Sequence, residues 1–138
     1  MAEYTKPLPR SETPVINEVF WDAAKRHELL IPRCRKCNSF FWYPRPACPK
    51  CWEEDWEWVA VKGTGRVHTY TIVRQPQNPA FNDDVPYVYA IIQLDEGVQM
   101  ISNVIKCNVP DGVKVDMRVK VVFDDVTSEW TLPKFEPA

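Results

Sequence analysis

The chain has 138 residues and a mass of 16.1 kDa, which fits one compact domain or one small domain with an appended module. Its net charge of −2 and pI of about 5.7 disfavour a strongly basic nucleic-acid binder, and its 45% hydrophobic content disfavours disorder throughout. Thirteen prolines against four glycines favour short strands, extended arms and rigid loops over long helices.

The N-terminal segment is predicted to be an extended arm followed by a helix. Residues 1–14 contain three prolines and no apolar run of the kind found in signal peptides. In residues 15–30, apolar side chains recur every three or four positions, which predicts an amphipathic helix that Pro32 ends. No apolar run approaches the ~20 residues of a membrane span, so we expect a cytoplasmic protein without membrane contact.

The pattern C-x2-C-x10-C-x2-C is formed by four cysteines: Cys34, Cys37, Cys48 and Cys51. Two C-x2-C turns aim four thiolates at one point, which is the donor set of a structural zinc ion with no open position for catalysis. Disulfides are rare in a reducing compartment, and a thioredoxin-type site has a single C-x2-C pair; iron, as in a rubredoxin, is an alternative to zinc. Asn38 suits the left-handed backbone that often follows such a pair, whereas Trp52 in the matching position is less expected.

A β region is predicted after the cysteines. Residues 62–65 predict a turn, and we expect strands at residues 67–73, 87–94, 98–105 and 115–123, with a last short strand that includes Trp130 and Leu132. About five strands in roughly 75 residues are typical of a small closed barrel such as the OB-fold. The sequence therefore predicts a mainly β fold in three segments: an N-terminal arm and helix (1–30), a four-cysteine zinc ribbon (31–58) and a five-stranded OB-fold barrel (59–138).

Basic and aromatic residues are concentrated in the predicted ribbon. Residues 29–52 contain five basic residues and no acids, and four acids follow within residues 53–57. This predicts a cationic patch that is either a solvated face or a site for ligand phosphates or an acidic partner. Nine of the seventeen aromatic residues lie between residues 20 and 58, more than a small ribbon can bury, which favours a protein–protein surface.

Candidates for catalysis are few. His27 is predicted on the polar side of the helix, His68 lies in a strand, and Cys107 is expected to be a small apolar side chain at a strand end. The sequence has no local triad, glycine-rich phosphate loop or paired-histidine metal motif. It therefore argues against a self-sufficient enzyme.

The order of helix, four-cysteine ribbon and β-barrel resembles a known family, the OB-fold proteins with a rubredoxin-like zinc ribbon that associate with acyl-CoA enzymes. The matching stretches are FWDAAKRHELLIPRCRKC (20–37), YPRPACPKC (43–51), KGTGRVHTYTIV (62–73), PYVYAIIQLDEGVQMISNVI (86–105) and VKVDMRVKVVFDD (113–125). The sequence departs from the family at Asn38 and Trp52, where glycine is frequent; these positions affect turn geometry rather than metal ligation.

The resemblance implies an accessory subunit of a thiolase-like enzyme complex that makes or breaks a carbon–carbon bond at a CoA thioester, such as benzoylsuccinyl-CoA thiolase of aromatic degradation. The alternatives are a partner of a steroid side-chain aldolase or hydratase, and a module that binds single-stranded nucleic acid. The resemblance also implies a catalytic partner subunit, a complex of two large and two small chains, and a CoA thioester bound by or shared with the partner.

On this hypothesis the helix and the ribbon bind the large subunit, and the proline-rich loop of residues 74–86 helps to shape the acyl pocket. The residues expected to contact the partner or CoA are Phe20, Trp21, Arg33, Arg35, Lys36, Trp42, Tyr43, Arg45 and Phe81. A rubredoxin-like electron carrier is a further alternative, which metal analysis excludes if zinc is found.

Overall fold

The computed structural model describes residues 4–9 and 14–138, so residues 1–3 and 10–13 of the predicted arm lie outside the described part. The helix α1 spans Pro14–Lys25. The strands are β1 (Leu29–Cys34), β2 (Trp56–Val61), β3 (Thr64–Val73), β4 (Tyr87–Leu94), β5 (Gln99–Val104), β6 (Arg118–Asp125) and β7 (Thr131–Pro137).

The predicted helix is too long at its C-terminal end. His27 adopts a left-handed backbone with φ of 61°, its N–H donates to Ala24 O, and the N–H of Glu28 donates to Ala23 O. This bonding pattern is a Schellman motif, which ends a helix regardless of the apolar spacing that follows. Leu29 and Leu30 therefore belong to a strand, and Pro32, predicted to end the helix, lies inside that strand.

β1 and β2 form a two-stranded antiparallel sheet that the sequence pattern did not predict. Their register pairs Leu29 with Val61 and Cys34 with Trp56, so the sheet places the first cysteine next to the chain that leaves the ribbon. Pro32 is tolerated because each strand of a two-stranded sheet has an edge that needs no N–H donor. This sheet connects the cysteine region to the rest of the molecule.

The other five strands close into a barrel in the order β3-β4-β5-β7-β6. All neighbouring pairs are antiparallel except β5 and β7, which run parallel and pair at Val104 and Phe135. The predicted fold class is confirmed: a mainly β chain with an N-terminal helix, a four-cysteine cluster and a five-stranded closed barrel. The division into three segments stays a prediction.

Several predicted strand boundaries are wrong. The turn at residues 62–65 is shorter than expected, because β3 already begins at Thr64. β5 is one residue shorter at each end than the predicted 98–105. β6 begins at Arg118 rather than at residue 115, since Asp116 has φ of 68° and interrupts the extended backbone, leaving Val115 56% exposed. Trp130 precedes β7 and stacks edge-on against Trp21, with ring centroids 5.3 Å apart.

The barrel, the helix and the β1–β2 sheet share a hydrophobic core. Phe20 of the helix and Leu29 and Ile31 of β1 belong to the same buried cluster as the barrel residues Ile92 and Phe135. The helix end is also tied to β6, since the His27 ring stacks on Phe123 and its Nε2 lies 3.0 Å from the Asp125 carboxylate. No helix in the described residues has the length and hydropathy to cross a membrane.

Candidate metal centre and partner surface

The four predicted ligands converge, with the sulfur atoms of Cys34, Cys37, Cys48 and Cys51 all within 4.8 Å of one another. The Sγ atoms of Cys34 and Cys51 are 3.5 Å apart, and those of Cys37 and Cys48 are 3.7 Å apart. A tetrahedral zinc ion with bonds of about 2.3 Å requires about 3.8 Å between its sulfur ligands. The donor set and its geometry therefore fit a structural zinc ion.

Each cysteine pair lies on a turn with the same backbone hydrogen bonds, and we call these turns the first knuckle (residues 34–39) and the second knuckle (residues 48–53). In the first, the N–H of Asn38 donates to Cys34 O at 3.0 Å; in the second, the N–H of Trp52 donates to Cys48 O at 2.8 Å. Asn38 and Trp52 have φ of 60° and 64°. The knuckle backbone thus needs a left-handed residue after each cysteine pair.

A second, smaller hydrophobic core includes two of the four metal-site cysteines. Cys34, Cys48 and Phe41 are buried together, with Trp56 packed against them. The Phe41 and Trp56 rings meet edge to face at a centroid distance of 5.6 Å, and the Trp56 indole N–H donates to the Pro46 carbonyl at 3.3 Å. The aromatic residues of the ribbon are therefore partly structural, as a small core requires.

Two of the five basic residues of the predicted cationic patch pair with the acids that follow it. Arg35 lies 3.6 Å from Asp55 and 3.5 Å from Glu57. Lys36 lies 3.7 Å from Glu53. These contacts exist because residues 53–57 fold back across the first knuckle, which the linear charge count does not reveal.

The other two basic residues expected to contact the partner or CoA, Arg33 and Arg45, differ in their surroundings. The Arg33 guanidinium lies over the Phe40 ring at 5.6 Å, and its Nε is shielded from solvent. Arg45 is exposed and donates through Nε to Tyr43 O at 3.4 Å. Of the predicted cations, Arg45 is therefore the one best placed to meet an external anion.

Four of the predicted aromatic residues come together in one cleft, which we call the aromatic cleft. Phe20 stacks against Trp21 and Trp42 with centroids 4.9 and 4.8 Å apart, and Tyr43 lies beside Trp42. The cleft has a volume of about 500 Å³ and reaches the barrel at Ile101. Among the residues that the structure describes, none of those lining the cleft is charged.

Phe81, the last predicted residue, lies apart from this cluster. It sits in a short 3-10 helix, Pro79–Asp84, and its ring is 6.4 Å from Tyr87. Both residues line a second cavity of about 490 Å³, across which Lys6 of the arm pairs with Asp84 at 2.6 Å. The predicted partner residues therefore fall on two faces and not on one.

The outer surface of β4 and β5 was not among the candidate contact sites predicted from the sequence. Tyr89 and Ile101 are among the exposed large apolar side chains, and Ile101 also lines the aromatic cleft. The signal was available in the sequence, because neither strand contains an Asp, Glu, Lys or Arg.

Comparison with known proteins shows the family to which the chain belongs. Residues 21–57 match the rubredoxin-like zinc ribbon domain of ChsH2, and residues 58–124 match its C-terminal OB-fold domain. A DUF35 domain-containing scaffold protein of Methanothermobacter thermautotrophicus is 33% identical over 106 residues, or 76% of this chain and 78% of that protein. The chain therefore belongs to the DUF35 family of ChsH2-type proteins, which combine a rubredoxin-like zinc ribbon with an OB-fold.

Other relatives are longer than this chain. It is 38% identical over 136 residues to a probable enoyl-CoA hydratase alpha subunit of Thermomonospora curvata, covering 96% of this chain and 42% of the relative. It is 30% identical to the 3-oxo-4,17-pregnadiene-20-carboxyl-CoA hydratase alpha subunit of Mycobacterium tuberculosis, covering 86% of this chain and 36% of the relative. The chain thus spans less than half the length of these two proteins.

Among solved structures, the chain is similar to one in the Ltp2-ChsH2(DUF35) aldolase. The two are 35% identical and superpose with a TM-score of 0.82, over 93% of this chain and 98% of the other. Because both coverages are high, the two chains have nearly the same length.

Proposed function

We propose that this chain is a scaffold subunit of a thiolase-like aldolase complex that acts on CoA thioesters of the steroid side-chain type. The observation that carries the proposal is the likeness, along nearly its full length, to one chain of the Ltp2-ChsH2(DUF35) aldolase. The relative described as a scaffold protein supports the same role. This evidence favours the aldolase and hydratase alternative over the benzoylsuccinyl-CoA thiolase hypothesis.

The metal site supports a scaffold role. Four thiolates complete the tetrahedral shell of a zinc ion, so bound zinc stabilises the ribbon and has no free position for substrate. In the described residues, this cluster is the one grouping of metal-ligating side chains. The acid–base groups for carbon–carbon cleavage are then supplied by the partner subunit.

The charge pattern limits how this chain meets a CoA thioester. Arg35 and Lys36 are held by their own acids, whereas Arg45 is exposed on the ribbon. We therefore propose that the partner binds most of the CoA and that Arg45 is the residue of this chain nearest to its phosphates. Exposed guanidinium groups suit such contacts because they bind phosphate oxygens in pairs.

Co-expression with a thiolase-like aldolase tests the proposal. We expect one complex of two large and two small chains by light scattering after gel filtration, and retro-aldol cleavage of a β-hydroxyacyl-CoA thioester that requires both chains. The proposal is wrong if this chain elutes alone and the aldolase is equally active and soluble without it.

A second candidate function is support of a hydratase, because two relatives are hydratase alpha subunits. The same co-expression with a hydratase partner distinguishes the two. If the complex with the hydratase partner removes the enoyl-thioester absorbance and the complex with the aldolase has no retro-aldol activity, the chain is a hydratase subunit.

A further inference from the structure

The strands β4 and β5 are the least charged strands of the barrel. β4 reads YVYAIIQL and β5 reads QMISNV, with no charged residue in a chain that is 26% charged. By contrast, the barrel strands β3 and β6 carry Arg66, Arg118 and Lys120 among their exposed residues. The difference matters because solvated strand faces normally carry charge.

The outward side chains of the β4–β5 hairpin form what we call the uncharged face: Tyr89, Ile91, Gln93, Gln99, Ile101 and Asn103. The inward residues alternate with them and are mostly buried. Ile101 is 45% exposed, and its cross-strand partner is Ile91. An exposed apolar surface without charge marks a contact site rather than a solvated face.

This face is continuous with the aromatic cleft. Ile101 belongs to both, and its backbone N–H donates to the Tyr43 hydroxyl at 3.4 Å. Tyr43 is itself 47% exposed. Together they present an uncharged surface with a concave, aromatic end, which is the composition of an interface centre.

The edge of β5 inside the cleft lacks a partner strand. β5 pairs with β7 only at Val104, so residues 99–103 are paired with β4 alone. The Tyr43 hydroxyl is a distant acceptor for Ile101, beyond the usual 3.2 Å of a strong N–H···O bond. Pro133 of β7 lies beside Ser102, whose hydroxyl donates to the Pro133 carbonyl at 3.0 Å. An added extended segment would therefore pair with residues 99–101, the part of the β5 edge beyond this contact.

We propose that the catalytic partner inserts an extended, uncharged apolar segment into the aromatic cleft, along the edge of β5 and against the uncharged face. Charge complementarity selects this occupant, because the described residues that line the aromatic cleft carry no charge, and a charged segment would lose its hydration there without gaining a counter-ion from them. An anionic ligand would instead bind near exposed cations such as Arg45. The proposal rests on the proposed function and assigns the surface that it uses.

The test compares two lysine substitutions at exposed apolar positions. Ile101→Lys places a charge in the uncharged face, whereas Val115→Lys places the same charge on the β5–β6 connection, at a residue that is 56% exposed. We expect Ile101→Lys to weaken partner binding at least tenfold by calorimetry, and Val115→Lys to change it less than twofold. Melting temperature and zinc content should match wild type in both, and Tyr89→Lys replaces Ile101→Lys if the latter fails to fold.

The outcomes separate the inference from the function. If wild type and Ile101→Lys bind the partner equally, the inference is wrong and the scaffold function stands. If wild type binds no thiolase-like partner, both are wrong. If this chain alone dimerises and Ile101→Lys makes it monomeric, a second copy occupies the face and the inference is overturned.

Discussion

The first and second knuckles share one backbone and differ in their side chains. In both, the N–H of the leading cysteine donates to the carbonyl five residues later, at 2.9 Å in the first and 2.8 Å in the second. The left-handed residue is Asn38 in one and Trp52 in the other. Asparagine tolerates that conformation, whereas a bulky side chain there costs about 1–2 kcal/mol.

This difference shows that metal ligation fixes the backbone conformation of a knuckle but does not restrict which side chain follows the cysteine pair. Trp52 is 79% exposed, so burial returns little of the conformational cost. In the first knuckle, Arg35 pairs with Asp55, and Lys36 pairs with Glu53, the last residue of the second knuckle. Both basic residues of the first knuckle are thus paired, whereas the second knuckle presents a large apolar side chain to solvent.

Removal of one metal ligand should abolish zinc binding, on which the structure of both knuckles depends. We expect Cys48→Ser to lose zinc and to unfold the ribbon, because zinc binding contributes about 10 kcal/mol or more to the folding of small zinc domains. Metal analysis and near-ultraviolet circular dichroism measure both effects. Cys107→Ser is the control, since Cys107 lines the second cavity, and it should keep its zinc. Full zinc retention in Cys48→Ser would contradict the assignment of the site.

Exchange of the left-handed residues should have an intermediate effect of opposite sign in the two knuckles. Trp52→Asn is expected to stabilise the chain by about 0.5–1 kcal/mol because it relieves backbone strain. Asn38→Trp is expected to destabilise it by about 1 kcal/mol for the same reason. Urea unfolding with zinc present measures both free energies, and shifts of the same sign would show that backbone strain does not control the stability of the knuckles.

Removal of the ion pair between the two knuckles should have the smallest effect. Lys36 and Glu53 are 3.7 Å apart with side chains 68% and 38% exposed, so Lys36→Ala should cost less than about 0.5 kcal/mol of unfolding free energy. The loss should disappear in high salt, which screens exposed charges. Lys50→Ala, at the matching position of the second knuckle, is the control; an equal, salt-sensitive loss there would remove the distinction.

Local patterns were sufficient for the cysteine cluster and for the central barrel strands. The C-x2-C spacing specifies its own geometry, and β4 was predicted with its bounds because alternation and flanking turns are local signals. The end of the helix was not predictable in this way. Residues 29–31 continue the apolar spacing, and their strand conformation depends on pairing with residues 59–61, far along the chain.

Individual aromatic residues of the aromatic cleft could be selected from the sequence, but their arrangement in one cleft could not be predicted. Phe20 and Trp42 were selected as partner residues, yet only the fold brings a helix and a ribbon loop to the same cleft. The pairing within the predicted cationic patch was hidden for the same reason, because charge counts along the chain do not show that Arg35 meets Asp55. Contacts between distant segments depend on topology, which single-sequence patterns do not encode.

The seam between β5 and β7 has a consequence for how the barrel assembles. Eight residue pairs join β3 to β4 and seven join β6 to β7, but only three join β3 to β6 and one joins β5 to β7. We expect β3-β4-β5 and β6-β7 to form first and the barrel to close late in folding, because contacts between residues far apart in the sequence cost more chain entropy. Amide hydrogen exchange should then be fastest along this seam, and a partner segment seated beside it would protect both strands by holding the closed barrel.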